Sequence, residues 1–314
     1  AADYTIDKSR VANLDRVLGV ILLLVLTLGG GINRVENWIE TLNFSPLLSG
    51  VALIMGVLLI LQVAELPLSL YQTFVIEARY GFNRSTALQF VKDLLLQTTL
   101  SVAIGGPLLA VILWVMASSG PLWWLIAWAI LMSFSILMSW AYPTVIAPLF
   151  NRFSPLPNQD LKARIEALLD RCGFQSKGIF VMDGSKRSGH GNAYFTGIGA
   201  SKRIVFFDTL VDSLEHDELE AVLAHELGHF KCRHVIKMLI TSSLMSLVGF
   251  ALLGWLSQEL WFFQGLGVSD MNTASALLLF MLIMPVFTVF LKPVMAYFQR
   301  RFQFEADDFA SAQP

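Results

Sequence analysis

One stretch of this chain, from Leu94 to Asn151, contains no Asp, Glu, Lys, Arg or His residue. A helix needs about 20 mostly apolar residues to cross a bilayer, so a stretch of this length predicts two spans. The segment Ser118–Pro121, with its serines, glycine and proline, favours a tight turn between them. Buried helices of a soluble protein do not readily accommodate so long an uncharged stretch. The feature therefore predicts a membrane protein.

Four further apolar segments bring the predicted number of spans to six. They are Val17–Ile32, Pro46–Ala64, Met238–Gln258 and Ala274–Leu291. The composition agrees, because only 15% of the 314 residues are charged, whereas soluble proteins carry about 25%. The net charge of −2 gives no indication of a nucleic-acid partner, and none is expected.

The basic residues predict which side of the membrane each connecting segment faces. All but one of the 22 Lys and Arg residues, Arg34, lie in segments 1–16, 65–93, 152–237 and 292–314. These four segments share one side if the six spans alternate in direction. Because Lys and Arg are enriched on the cytoplasmic side, we expect that side to be cytoplasmic, in a bacterial inner membrane or the endoplasmic reticulum.

Segment 152–237 is long enough to fold outside the membrane. Its patterns predict helices over Asn158–Cys172 and His216–Lys237. Short strands separated by glycines are predicted over Gly178–Met182, Asn192–Ile198 and Ile204–Phe207.

The predicted fold class is thus a membrane all-α protein with a small cytoplasmic α+β unit. Its parts follow the chain in order. They are spans 1–4 in residues 1–151 with a cytoplasmic loop 65–93, the α+β unit 152–237, spans 5–6 in residues 238–291, and a cytoplasmic helix in residues 292–314.

The motif His225-Glu226-Leu227-Gly228-His229 lies in the second of the predicted cytoplasmic helices. Residues four apart return to within about 40° on a helix, so both imidazoles can bind one ion. Zinc favours imidazole ligands and keeps a position for water in catalytic sites. Glu226 can accept the proton of that water as general base. The motif predicts a zinc metallopeptidase with one zinc ion.

Two histidines and a water leave one zinc ligand to identify. It is expected to be an acidic residue on another helix, in the segment Arg300–Ala310 that follows the last span on the same side. His234 comes nine residues after His225. Continuous helical geometry would turn its side chain nearly to the opposite face. It is therefore not expected to be a ligand.

The motif His225–His229, followed by Arg301–Asp307, resembles the type I CAAX prenyl proteases. These are multi-span zinc endopeptidases that remove C-terminal residues from prenylated proteins. Further similar segments are Tyr80–Thr86, Pro148–Asn151 and Met182–Phe195. The resemblance implies a seven-span fold around a water-filled chamber, with the lipid bilayer and a peptide or prenylated protein as partners. It also implies that the substrate pairs with an edge strand, here at Asn192, Ala193, Tyr194 and Phe195.

This chain departs from the family at Gln303, where the family has a glutamate as third zinc ligand. Positions 303 and 307 share one helical face, whereas 305 points about 200° away from 303. The resemblance thus implies Gln303 as the ligand position and Asp307 as a group that orients a zinc-bound histidine. Because a neutral amide is a poorer ligand than a carboxylate, we hypothesise that Gln303 disables or weakens the enzyme. The family's additional first span and the tail beyond Pro314 are expected to be lacking.

Three functions remain open on these observations. The first is cleavage of peptide bonds near the C-termini of prenylated proteins or in unfolded membrane-associated chains. The second is membrane-protein quality control, which uses the same chemistry on other substrates. The third is a non-catalytic membrane scaffold, which Gln303 favours and Glu226 opposes, because a scaffold needs no general base. The oligomeric state is not indicated.

Overall fold

The structure is a computed structural model that describes residues 2–174, 176–196 and 203–312. Its helices in chain order are α1 (Ala2–Leu26), α2 (Gly31–Glu40), α3 (Pro46–Tyr71), α4 (Ala87–Leu100), α5 (Gly106–Ser118), α6 (Trp123–Ala141), α7 (Ala147–Phe150), α8 (Gln159–Arg171), α9 (Asp208–Ser213), α10 (His216–Lys231), α11 (His234–Leu256), α12 (Leu260–Gln264), α13 (Thr273–Thr288) and α14 (Lys292–Ser311). Its strands are β1 (Phe153–Pro155), β2 (Ile179–Met182), β3 (Ala193–Thr196) and β4 (Arg203–Phe207). A mainly helical fold with one small sheet confirms the predicted fold class.

Among the described residues, five helical segments are long and apolar enough to cross a membrane. They are Pro46–Glu77, Ala87–Ser118, Gly120–Phe150, His234–Leu256 and Thr273–Ser311. A sixth candidate is the pair α1 and α2, which is bent by 56°. This number agrees with the six predicted spans. The predicted turn at Ser118–Pro121 coincides with a short 3-10 turn, Gly120–Leu122, between two of them.

The first predicted span, Val17–Ile32, is wrong in its bounds because it extends across a break in the helix. α1 ends at Leu26 and α2 begins at Gly31. Gly30 lies between them with a φ of 70°, a left-handed conformation that glycine adopts without steric cost. Apolarity continues through the break, so the hydropathy pattern does not reveal it.

The cytoplasmic loop predicted to begin at residue 65 begins after Glu77, because the helical segment continues to that residue. α3 continues through Pro67 to Tyr71, and a π-helical turn, Gln72–Glu77, extends it further. Proline removes one backbone donor from a helix. Membrane helices tolerate it because neighbouring groups and local π adjustments satisfy the freed carbonyls.

The chain divides into two compact units, of which the first contains residues 1–80, 88–132 and 244–290. Its core is formed mainly by apolar side chains of α2, α3, α5, α6, α11, α12 and α13. Helix α3 approaches two neighbours closely at Gly50, where a Cβ atom would lie 3.0 Å from the Ala274 Cβ and 3.1 Å from a Leu113 methyl. Small residues of this kind let membrane helices pack at short distance.

The second unit contains residues 81–87, 133–243 and 291–314. Its sheet has the order β1-β2-β4-β3, with β2 and β4 parallel and the other pairs antiparallel. Apolar residues of α8 and α10 pack against this sheet in one core. α8 agrees with the predicted helix Asn158–Cys172, and Asn158 caps it by accepting a hydrogen bond from the Leu161 N–H.

Two predictions for this unit need correction. The predicted helix His216–Lys237 is two helices, because α10 ends at Lys231 and α11 begins at His234. Arg233 between them has a φ of 57°, which no continuous helix contains. The predicted strand Asn192–Ile198 begins one residue later, because β3 covers Ala193–Thr196, and residues 197 and 198 lie outside the described residues.

Candidate metal centre

The helix that carries the histidine motif is fixed at its start and along one face. Glu215 and Glu218 form a capping box at the first turn of α10, which satisfies backbone N–H groups that a helix start leaves open. Arg164 of α8 binds both Asp217 and Glu220. Leucines at every fourth position bury the opposite face, and they are Leu219, Leu223 and Leu227. This leaves His225, Glu226 and His229 on the remaining surface.

α10 and α14 come closest at Gly228 and Ala306. A Cβ atom on Gly228 would lie 2.8 Å from the Ala306 Cα and 2.9 Å from the Ala306 carbonyl oxygen. Ala306 itself is fully buried. A larger residue at Gly228 would force the two backbones apart. The glycine within the histidine motif therefore lets α14 bring Gln303 and Asp307 to the histidines.

The structure brings together the four residues to which the sequence assigns a metal centre. The Gln303 Oε1 lies 2.9 Å from the His225 Nε2, and Gln303 partly opposes the lowering of the His229 pKa. The Asp307 Oδ1 lies 2.7 Å from the His225 Nδ1. The two histidine rings stand edge to face with centroids 4.9 Å apart. Their roles as metal ligands and orienting group remain predictions.

These residues fit a zinc ion by the chemistry of their donor atoms. The Nδ1 atoms of His225 and His229 are engaged by Asp307 and by His234 at 2.7 and 2.9 Å. The opposite nitrogen of each ring is then the atom that could coordinate, and the His225 Nε2 lies 2.9 Å from the amide oxygen of Gln303. Two imidazoles and one carboxylate oxygen form a donor set typical of catalytic zinc, which keeps a further position for water. In this chain the neutral amide oxygen of Gln303 stands where that carboxylate oxygen would be.

Burial changes the proton affinity of two groups on α10. It raises the pKa of the Glu226 carboxyl above its usual range, and the charge of His225 partly opposes this shift. It lowers the pKa of His229, and His225 and His234 add to this effect. A neutral imidazole is the form that binds metal, and a carboxylate with a raised pKa is a better proton acceptor.

His234 is the residue at this centre that the sequence analysis missed. The expectation that it faces away from the motif is wrong, because α10 ends before it and the chain turns at Arg233. Its Nδ1 lies 2.9 Å from the His229 Nδ1, and its Nε2 lies 3.0 Å from the Glu305 Oε2. No glycine or proline marks the break, so the sequence offered no signal for it.

The predicted substrate strand lies at an edge of the sheet, as expected, because β3 is last in the strand order. The Asn192 carbonyl accepts from the Phe207 N–H at 2.9 Å. Ala193 is buried, and the Phe195 ring contacts Phe174 with centroids 5.0 Å apart. The Tyr194 side chain points to the opposite face of the sheet from those of Ala193 and Phe195, because side chains alternate along a strand. Peptide binding at these residues stays a prediction.

Two family models together match almost the whole chain. Residues 1–152 match the one described as CAAX prenyl protease N-terminal, five membrane helices. Residues 155–313 match the one described as Peptidase family M48. The border between them coincides with the start of the sheet at β1.

Similar proteins include several named CAAX prenyl protease 1 or its homologue. The Arabidopsis thaliana homologue is 37% identical over 85% of this chain and 63% of its own length. The Saccharomyces cerevisiae protein is 46% identical over 60% of this chain and 42% of its own length. This chain thus spans less than two thirds of these relatives. The crystal structure of S. mikatae Ste24p superposes with a TM-score of 0.91 at 31% identity, over 98% of this chain and 77% of that one.

Proposed function

Because this chain belongs to the CAAX prenyl protease family of M48 metallopeptidases, we propose that it is a membrane zinc endopeptidase that cleaves near the C-termini of prenylated proteins. The observation that carries the proposal is the contact of Gln303, on α14, with His225 of the histidine motif on α10. Glu226 on the same helix supplies a carboxylate whose pKa burial raises. Two candidate metal ligands and a candidate general base therefore lie on one face of α10, and α14 adds the oxygen of Gln303 beside them, the grouping that metal-assisted hydrolysis of a peptide bond needs.

In this proposal His225, His229 and Gln303 hold one zinc ion. The chemistry that bound zinc supplies is the acidification of water and the polarisation of a carbonyl group. Glu226 accepts the proton of the attacking water and delivers it to the departing amine. Asp307 accepts a hydrogen bond from the His225 Nδ1–H, which would keep the Nε2 lone pair available to the metal.

The substrate is proposed to lie as an extended strand beside β3. The Phe207 N–H donates a hydrogen bond to the Asn192 carbonyl, so Asn192 and Phe207 face each other as a hydrogen-bonded pair of the ladder between β3 and β4. In an antiparallel ladder the next residue then directs its backbone groups outward, so Ala193 and Phe195 face the edge. The Ala193 N–H is already bonded to the Asn192 side chain at 2.9 Å. Phe195 is left as the main backbone partner for a substrate.

Substrate peptides that carry one N-methyl group test this arrangement without changing the protein. Peptides methylated singly at each residue around the scissile bond should show a higher KM at alternating positions only. One backbone hydrogen bond contributes about 0.5–1.5 kcal/mol, which corresponds to a KM change of about two- to tenfold. The same KM at every position would contradict strand pairing.

The prenyl group is expected to raise the rate of cleavage. A quenched-fluorescent farnesylated peptide should be cleaved with a kcat/KM at least about tenfold above its unprenylated form, because burial of apolar area adds about 25 cal/mol per Å². A zinc chelator should abolish both reactions.

Either of two other results of this assay would change the proposal. Equal cleavage of the peptide with and without its farnesyl group, and of unfolded membrane chains, would favour quality control. Absence of cleavage in both this chain and its Gln303→Glu variant, with zinc bound, would favour a scaffold.

The metal centre is proposed to lie on the cytoplasmic side of its membrane. The support is the distribution of basic residues, because all but Arg34 fall in segments assigned to that side. An epitope attached after Ser311 should be digested by protease in vesicles with the cytoplasmic face outward. Protection of this epitope until detergent is added would reverse the assigned orientation.

A further inference from the structure

We propose that His234 and Glu305 are positioning residues of the metal centre, which hold His229 in the tautomer that a metal ion can bind. The inference rests on the metal site of the proposed function. It concerns residues outside the histidine motif and outside the predicted ligand set. They form a chain of hydrogen bonds that starts on α14, passes through the first residue of α11 and ends on α10.

The geometry of this chain is continuous. The Glu305 Oε2 lies 3.0 Å from the His234 Nε2. The His234 Nδ1 lies 2.9 Å from the His229 Nδ1. The two imidazole rings stand edge to face with centroids 5.1 Å apart. Both distances are those of ordinary hydrogen bonds between nitrogen and a nitrogen or oxygen acceptor.

His234 is held rigidly and away from water. Its side chain is 2% exposed, and its ring stacks on Phe302 with centroids 4.3 Å apart and planes 16° apart. A buried imidazole nitrogen is costly to leave without a partner. Each nitrogen of His234 has one, so the ring has little freedom to rotate or flip.

The charges around Glu305 determine the direction of every bond in the chain. The Arg301 Nε donates to Glu305 at 2.9 Å, and the Lys237 Nζ lies 3.5 Å away. Between two cations Glu305 is a carboxylate, which can only accept hydrogen bonds. The His234 Nε2 must therefore carry hydrogen. The Nδ1 of a neutral His234 then has a lone pair, and it can only accept.

The donor to that lone pair is the His229 Nδ1, which must carry the single ring hydrogen of a neutral His229. The His229 Nε2 is then the atom with a free lone pair, and this is the atom available to a metal. A metal-bound histidine commonly donates its other N–H to a group that fixes its orientation. Asp307 fills this role for His225 directly, and Glu305 fills it for His229 through His234.

A second metal site is the competing interpretation of the same residues. Cys232, His234 and Glu305 each offer a ligand atom within 4.8 Å of the others. Arg301 and Lys237 argue against a cation at this place, because both already direct positive charge at Glu305. The positioning role uses the observed contacts without adding a third positive charge.

Zinc affinity of purified variants in detergent, measured by competition with a chromogenic chelator, separates the two interpretations. His234→Phe keeps an aromatic ring for stacking on Phe302 but removes both nitrogens, whereas His234→Asn keeps an acceptor near the Nδ1 position. We expect His234→Phe to bind zinc about 10–100-fold more weakly, the usual effect of losing an orienting partner. His234→Asn should recover much of that loss, and Cys232→Ala should match the wild type.

The thermal midpoint of each metal-free variant is measured in parallel. A purely structural role for His234 predicts a lower midpoint in both variants with no rescue of affinity by His234→Asn, and this result would overturn the inference. Two zinc ions per wild-type chain, one of them lost in Cys232→Ala, would replace it with the second metal site. Unchanged affinity in His234→Phe would refute the positioning role alone, whereas absence of zinc affinity in both the wild type and the Gln303→Glu variant would refute the proposed function as well.

Discussion

Replacement of Gln303 by glutamate is expected to raise the zinc affinity of this chain by about 100-fold or more, because loss of an orienting partner alone already changes affinity by about 10–100-fold. Residue 303 would act on the metal directly, as a ligand, because its side-chain oxygen lies 2.9 Å from the His225 Nε2. Glutamate has the length of glutamine, so the carboxylate oxygen can occupy the place of the amide oxygen. Its negative charge then adds Coulombic attraction to a divalent cation.

Peptide hydrolysis should rise together with zinc affinity in Gln303→Glu, measured on the farnesylated peptide at saturating zinc and at limiting zinc. A large gain at limiting zinc alone would mean that Gln303 weakens binding of the metal. A gain under both conditions would mean that it also weakens catalysis.

The matched control is Gln159→Glu, the same chemical change at an exposed position at the start of α8. It alters net charge equally and lies outside the metal centre, so it should leave zinc affinity and hydrolysis unchanged. If Gln303→Glu behaves like this control, the hypothesis that Gln303 disables the enzyme is wrong.

The sequence predicts the parts of this protein that depend on periodicity. The histidine motif works because a helix returns to the same face after four residues, and α10 is continuous over that distance. The same periodicity places Gln303 and Asp307 on one face of α14, where both contact His225. Span number follows from apolar length alone.

Two kinds of feature could not be predicted from the sequence. One depends on a single backbone angle, and the other on the packing of two elements that are distant in the chain. Arg233 at a φ of 57° ends the continuity of a helix without a glycine or proline to announce it. This one residue decides that His234 lies against His229 rather than opposite it. The close approach at Gly228 is equally invisible, because it depends on Ala306 far along the chain. Strand β1, Phe153–Pro155, is too short to give a pattern.

Replacement of Glu226 by glutamine is expected to reduce kcat/KM by about 100- to 10,000-fold, the range typical for loss of a general acid–base. Glutamine has nearly the same shape, but its amide does not accept the proton of water. The variant is best made together with Gln303→Glu, because a strong starting activity makes a loss of this size measurable. Glu166→Gln, at an exposed position on α8, is the matched control and should retain full activity.

Zinc content decides what a loss of activity in Glu226→Gln means. Glu226 is separate from the contacts that orient the ligands, since Asp307 holds His225 and His234 holds His229. We therefore expect the variant to bind zinc as tightly as its parent while hydrolysis disappears. A parallel loss of zinc would make Glu226 a structural part of the metal centre. If Glu226→Gln kept both full zinc content and full activity, Glu226 would not be the general base, and another group would have to accept the proton of water.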